Sequence, residues 1–144
     1  MKLAVVLESD FSSGGGFQQG LNAALEVYRL ASGRFDVVFW TDVASNVHAL
    51  EELGLQPRLF RRARADRLLA LLELSELGRR ISAKAELLDS LERALLTEHI
   101  DLAYFVSPST SAARLKKISF IATVWDLCHR DWPEFPEVRA ANEY

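Results

Sequence analysis

Residues 123–136, TVWDLCHRDWPEFP, gather two Trp, two Asp, a His, an Arg, two Pro and the only Cys of the chain into fourteen positions near its C-terminal end. Three chemistries use such side chains. Asp126, Cys128, His129 and Asp131 are all metal-ligand types, but no second cluster completes a shell at the spacing of a structural zinc site. The other histidines, His48 and His99, fall in stretches that read as helical far along the chain, so no metal is expected. Cys128 beside His129 offers a thiol and a base, yet sequence neighbours rarely face one another and no oxyanion arrangement is legible. A lone Cys most often packs as a small hydrophobe. Asp126 and His129 suit hydrogen bonds to sugar hydroxyls, Trp125 offers an apolar face to a sugar ring, and Arg130 suits a phosphate. A loop held by its own Asp turns and prolines is the plainer alternative, and residue chemistry alone leaves both open.

The tract needs a scaffold, and the residues before it supply one. Residues 118–124 are a β-branched apolar run that reads as a buried strand. Apolar stretches at 3–7, 35–41, 56–60 and 101–106 predict four more strands, the third weak and opened by Pro57. Phe17, Leu21, Ala24, Leu25 and Tyr28 recur at helical spacing and predict a helix ending near Gly33. Ser45 is a candidate N-cap for a helix over 46–53, stopped by Gly54. Residues 61–98 lack Pro and are rich in Leu, Ala, Glu and Arg, which predicts two amphipathic helices packed on the sheet, broken at Gly78 and with Ser82 capping the second. Residues 112–117 read as a short helical link. This alternation predicts an α/β fold with a doubly wound parallel sheet. Right-handed crossovers then bring the Gly14 loop, Asp42, the Ser107 loop and the Trp125 tract to one sheet edge, where open α/β folds bind ligands.

Gly14, Gly15 and Gly16 follow the first strand, but with Gly20 they do not match the G-x-G-x-x-G fingerprint, and no Lys supplies a Walker signature. Their use is physical: glycines admit a ligand close to the backbone, and the following helix N-terminus favours an anion. A plain flexible turn is the competing reading.

The 144 residues, 49% hydrophobic, suffice for one core and predict one domain. Seventeen basic against twenty acidic residues give a formal net charge of −3, which argues against nucleic acid as a partner. A single Cys permits no internal disulfide and fits a reducing compartment such as the cytoplasm. MKLAVVLESD reads as a strand followed by acids rather than a signal peptide, and no apolar run approaches the roughly 20 residues that span a bilayer. Arg61, Arg62, Arg64 and Arg67 read as a solvated face, or as a basic patch for an anionic membrane. Because the chain stops at Asn142-Glu143-Tyr144, soon after its most chemically loaded tract, it is expected to be part of something longer.

The tract V-W-D-L-C-H-R at 124–130, continued by W-P-E-F-P-E-V at 132–138, resembles the family-4 retaining glycosyltransferases of GT-B fold, most closely the bacterial branch that builds lipopolysaccharide and other surface polysaccharides. The first strand with its Gly14-Gly15-Gly16 loop is similar to theirs, and the likeness covers residues 1–144 as the N-terminal, Rossmann-like half of such an enzyme. The resemblance implies an acceptor-side domain whose nucleotide-sugar-binding C-terminal partner domain lies outside this chain. It implies transfer of a sugar from a nucleotide-sugar to a growing glycan, at the inner face of the membrane, without a metal or other cofactor. Many relatives place a His-Asp pair after the fifth strand; Trp125-Asp126 stands there instead, with His129 the nearest His. The roles implied are sugar contacts for Asp126, His129 and Trp125, donor phosphate or acceptor contact for the glycines and Ser107, and charge recognition or loop orientation for Arg130. A stand-alone, flavodoxin-like domain binding a small anionic ligand without catalysis is the alternative from another class.

Overall fold

The structure, a computed structural model, describes residues 1–11, 15–31 and 33–124. The alternating sequence folds as expected. Strands Lys2–Leu7 (β1), Asp36–Thr41 (β2), Arg58–Leu59 (β3), Leu102–Phe105 (β4) and Ser119–Ala122 (β5) form one parallel sheet in the order β3-β2-β1-β4-β5. This is the strand order of a Rossmann-like half, not the 2-1-3-4-5 order of flavodoxin-like domains, so the alternative reading loses its topology. β1 is central because KLAVVL can be covered on both faces, and all its residues after Lys2 are buried.

The pleat divides the core in two. Leu3, Val5 and Leu7 pack with Ala24 of helix α1 (Gly15–Ala31) and Leu50 of α2 (Ala44–Glu52). Ala4 and Val6 point to the other face, where they pack with Leu91 and Leu95 of α5 (Ser90–Thr97). Helices on both faces make the sheet doubly wound. Gly33 and Gly54, just past α1 and α2, both adopt positive φ and let the chain turn back into the sheet.

Four local expectations fail. β5 is an edge strand rather than a buried one, and Phe120 and Ile121 are exposed. Ser45 lies inside α2; the N-cap is Val43, and the Ser45 hydroxyl donates to Asp10 at 3.0 Å. Residues 61–98 hold three helices, α3 (Arg64–Leu72), α4 (Glu76–Lys84) and α5, rather than two. Gly78 does not break them: it sits inside α4, where a Cβ would lie 1.7 Å from the Leu72 carbonyl oxygen, so the glycine permits close packing of α4 on the end of α3. The α4 cap is Ser75, whose Oγ accepts from the Gly78 amide at 2.9 Å, while Ser82 is buried within the helix.

The fourth failure is the largest. The leucines of α3 and α4 were expected to face the core. Only Asp66, Gly78 and Ser82 of these helices are buried, and Leu68, Leu71, Leu74, Leu77 and Ile81 are exposed. Polar anchors set this orientation. Asp66 accepts from the Ala63 amide at 2.8 Å and the Ser90 amide at 3.0 Å, tying α3 to the start of α5. Ser82 and Lys116 both bond to Glu73 across the gap between α4 and the chain entering β5. Among the described residues, no helix is long and apolar enough to cross a membrane.

Candidate functional site

In a parallel sheet every strand ends at the same edge, and here those ends carry the charge. Glu8 follows β1, Asp42 follows β2, Arg62 lies just beyond β3, and Ser107, Ser109 and Ser111 follow β4. The strand order reverses between β1 and β4, which places a crevice at their carboxyl ends. Arg62 is the hub. Its Nε donates to Asp42 at 2.6 Å, one terminal nitrogen donates to Ser111 Oγ at 2.9 Å, and the other donates to Glu8. Ser109 and Ser111 hydroxyls also donate to Glu8, the latter at 2.6 Å. Phe60 lies under the guanidinium at 5.6 Å from its ring centroid.

Burial works against the Arg62 charge, but hydrogen bonding and attraction from Asp42 and Glu8 outweigh it and hold its pKa above the ordinary arginine value. Arg62 is therefore a fixed cation wherever the protein is folded. The other oxygen of Asp42, Oδ1, is buried without a hydrogen-bond partner among the described residues. That leaves an acceptor at the crevice able to take a hydroxyl or amide donor. Beside the network a cleft of about 420 Å³ is lined by Arg62, Arg64, Asp66, Arg67, Thr110 and Arg114, with Ala63 and Ala70. Arg62 is held by Glu8 and Asp42, and Arg114 pairs with Asp89. Arg64 and Arg67 form no ion pair among the described residues and suit a phosphate or carboxylate, which the planar fork can bind through two parallel bonds.

The loop from β1 to α1 is tethered from below. Asn46 of α2 is fully buried; its amide nitrogen donates to the Ser9 carbonyl at 2.8 Å and to Thr41 Oγ1 at 3.2 Å, and its oxygen accepts from the Phe11 amide at 3.1 Å. One side chain thus fixes the ends of β1 and β2 relative to each other, at the root of the glycine loop. On the opposite side the chain leaves β5 at the same edge. The Thr123 amide donates to the Phe105 carbonyl at 3.0 Å, and its hydroxyl pairs with Tyr104 at 2.9 Å.

Of the residues singled out in the sequence, Gly15 and Gly16 form the first two positions of α1, and Ser107 is buried at the end of β4, 6% exposed. Gly14, Trp125, Asp126, His129 and Arg130 lie outside the described residues. The sequence reading missed Glu8 as a hub partner, Asn46 as an anchor and Arg62 as the centre of the crevice. The available signal for Glu8 was position, immediately beyond the apolar run of β1, whereas Arg62 follows a short exposed strand and carries no such mark. Arg62 was instead read as one of a run of surface arginines.

No protein-family model matches the chain. No curated protein matches it either. Among solved structures, a glycosyltransferase from Rickettsia africae ESF-5 aligns over 93% of this chain and 34% of its own, at 10% identity and a TM-score of 0.47. A formyltetrahydrofolate deformylase from Pseudomonas putida KT2440 aligns over 99% of this chain and 44% of its own, at 13% identity and a TM-score of 0.48. A second such deformylase, from Burkholderia mallei ATCC 23344, aligns over 84% and 36%, at 12% identity and a TM-score of 0.43. The chain spans less than half the length of each of these proteins.

Proposed function

We propose that the chain is the acceptor-side, Rossmann-like half of a retaining glycosyltransferase that extends a surface glycan from a nucleotide-sugar donor. One observation carries this reading: the tract that resembles the family-4 enzymes begins where β5 ends, at the sheet edge that also holds the Glu8–Arg62–Asp42 network and the arginine-lined cleft. Asp126, His129 and Trp125 then contact sugar, Gly14, Gly15 and Gly16 meet the donor phosphates or the acceptor, and Ser107 and Arg130 complete the wall. The unpaired Asp42 oxygen is suited to accept from an acceptor hydroxyl, and the cleft is suited to an anionic group on the acceptor. A diphosphate leaving group in this fold class is neutralised by basic side chains and helix N-termini, so the reaction needs no metal. The nucleotide-binding half is a separate domain, and the reaction takes place in the cytoplasm, at the inner face of the membrane.

Amide-resolved NMR titration of the 144-residue chain tests this reading. Phosphorylated or carboxylated oligosaccharides are expected to shift residues 62–67 and 107–114, and Arg62→Ala is expected to abolish the shifts. Nucleotide-sugars alone should leave the spectrum nearly unchanged. Sugar transfer by this chain by itself would overturn the half-site assignment. A stand-alone anion-binding domain is the second reading, favoured by the fact that the arginine cleft is formed within one chain. Tight binding of inorganic phosphate with no response to any oligosaccharide would select it.

A further inference from the structure

The α3–α4 hairpin carries an apolar surface that neither the crevice nor the core uses. Leu74, on the turn between the helices, is 81% exposed, and Leu77 of α4 is 69% exposed. Ile81 stands one turn beyond Leu77 and is exposed as well, so the two share a side of α4. Gly78 seats α4 on the Leu72 carbonyl, so this side of α4 starts where α3 ends. Along α3 an apolar groove of about 440 Å³ opens between Leu68, Leu69 and Leu72 and the link that carries Leu87 and Leu88. Scattered single leucines on a surface need no explanation, but a set carried along one hairpin does.

A copy of the same surface fits it. An interface about a two-fold axis must be its own complement, and this one holds both a groove and projecting side chains to fill one. The exposed parts of Leu68, Leu72, Leu74, Leu77, Ile81 and Leu87 come to roughly 600 Å² on each copy, or about 1,200 Å² for a pair, where the range of specific interfaces begins. Charge then fixes the direction. α4 opens with Glu76 and closes with Lys84, both exposed, and Lys84 forms no ion pair among the described residues. Antiparallel copies of α4 set each Glu76 beside the partner's Lys84 and each Leu77 beside the partner's Ile81. Parallel copies would set like charge against like. A lipid surface would be indifferent to this order of charges along the helix.

We propose that the chain pairs with a second copy of itself through the α3–α4 hairpin, with the two α4 helices antiparallel about a two-fold axis. An interface of this size gives a weak dimer that dissociates on dilution. It stands or falls apart from the sugar-transfer reading, since it uses no residue of the crevice or its cleft.

Sedimentation equilibrium of the 144-residue chain between about 5 and 500 µM tests it, a span that brackets the affinity expected of so small an interface. Wild type is expected to pass from monomer to dimer across that span. Leu77→Asp with Ile81→Asp should leave a monomer throughout. Glu76→Lys places like charge beside Lys84 at both ends of the contact and should weaken the dimer about fivefold. Glu76→Lys with Lys84→Glu should restore it, which separates pairing across the interface from any effect within the helix. Because these side chains are exposed, the variants should fold as wild type does, and circular dichroism at the dilute end confirms it. Wild type that stays monomeric at the concentrated end overturns the proposal. So does a dimer that the aspartate pair leaves unchanged, or one that Glu76→Lys weakens and the double exchange fails to restore. A monomer that floats with phospholipid vesicles overturns it in favour of a lipid surface.

Discussion

Helix α5 and the α3–α4 pair carry similar leucine periodicity and meet opposite fates. α5 buries Leu91, Glu92 and Leu95; α3 and α4 bury an Asp, a Gly and a Ser and leave their leucines outside. The difference lies in what holds each element to the sheet. α5 is part of a βαβ crossover, and its apolar stripe closes one face of the core with Ala4, Val6 and Phe105. α3 and α4 are an insertion ahead of that crossover, attached by hydrogen bonds and by the close approach that Gly78 allows. Periodicity shows that a helix has an apolar face; the buried polar anchors decide which way that face points.

The strongest test of this contrast replaces one leucine from each region. Leu95 is 0% exposed and Leu71 64% exposed. Leu95→Ala should destabilise the fold by about 2–5 kcal/mol, from lost transfer energy and the cavity left behind. Leu71→Ala should stay within about 0.5 kcal/mol of wild type. Urea unfolding followed by circular dichroism measures both. Equal losses would mean that α3 is packed in solution against something the single chain does not show.

A second test moves from side-chain burial to polar attachment. Asp66→Ala leaves the Ser90 amide without its acceptor and the Ala63 amide with only Ser90 Oγ, and should weaken the hold of α3 by about 1–3 kcal/mol. The effect should be local. Hydrogen exchange is expected to quicken in α3 and α4 while β1 and β4 keep their protection. Loss of protection throughout the sheet would contradict the view that these helices are an appendage.

This division also explains what could be read from the sequence. The five strands, their parallel arrangement and the α1 and α2 positions were legible because the runs of β1, β2 and β4 and the stripes of the two helices are answered by core faces. Gly78 and Ser82 misled because a glycine and a serine inside a leucine-rich stretch look like punctuation. Their real use, a close approach and a bond to Glu73, depends on residues brought in from elsewhere. The crevice was legible as a place and only partly as chemistry. Glu8 and Arg62 are 54 positions apart, and nothing local announces that they meet.

The helix caps offer a finer version of the comparison. Asp89 caps α5 by accepting from the Glu92 amide at 2.8 Å and is buried, whereas Ser75 caps α4 from an exposed position. Ala at either position removes one acceptor. Asp89→Ala should cost about 2 kcal/mol and Ser75→Ala about 0.5–1 kcal/mol, since water can replace the exposed cap more readily. Thermal melts of the two variants, read against wild type, give the ranking.

The smallest expected effect is a pH dependence confined to the α4 attachment. Burial opposes ionisation of Glu73, but hydrogen bonds from Lys116 and Ser82 and the nearby positive charges outweigh it, holding its pKa below the ordinary 4.5. A carboxylate whose folded pKa is depressed stabilises the fold fully above its unfolded value, and that contribution fades as pH falls through the folded one. The Glu73–Lys116 clip should therefore be intact at neutral pH and weaken from about 4.5 downward. Exposed Glu26 and Glu86 are depressed in the same direction by Arg29 and Lys117, so the informative quantity is the difference between wild type and Glu73→Gln. Measured by urea midpoint across this range, the wild-type advantage over Glu73→Gln should shrink on acidification. Exchange at the Ala85 and Leu87 amides, which donate to the Ile81 and Ser82 carbonyls at the end of α4, should quicken over the same interval. A constant gap between the two proteins would show that Glu73 holds α4 by shape rather than by charge.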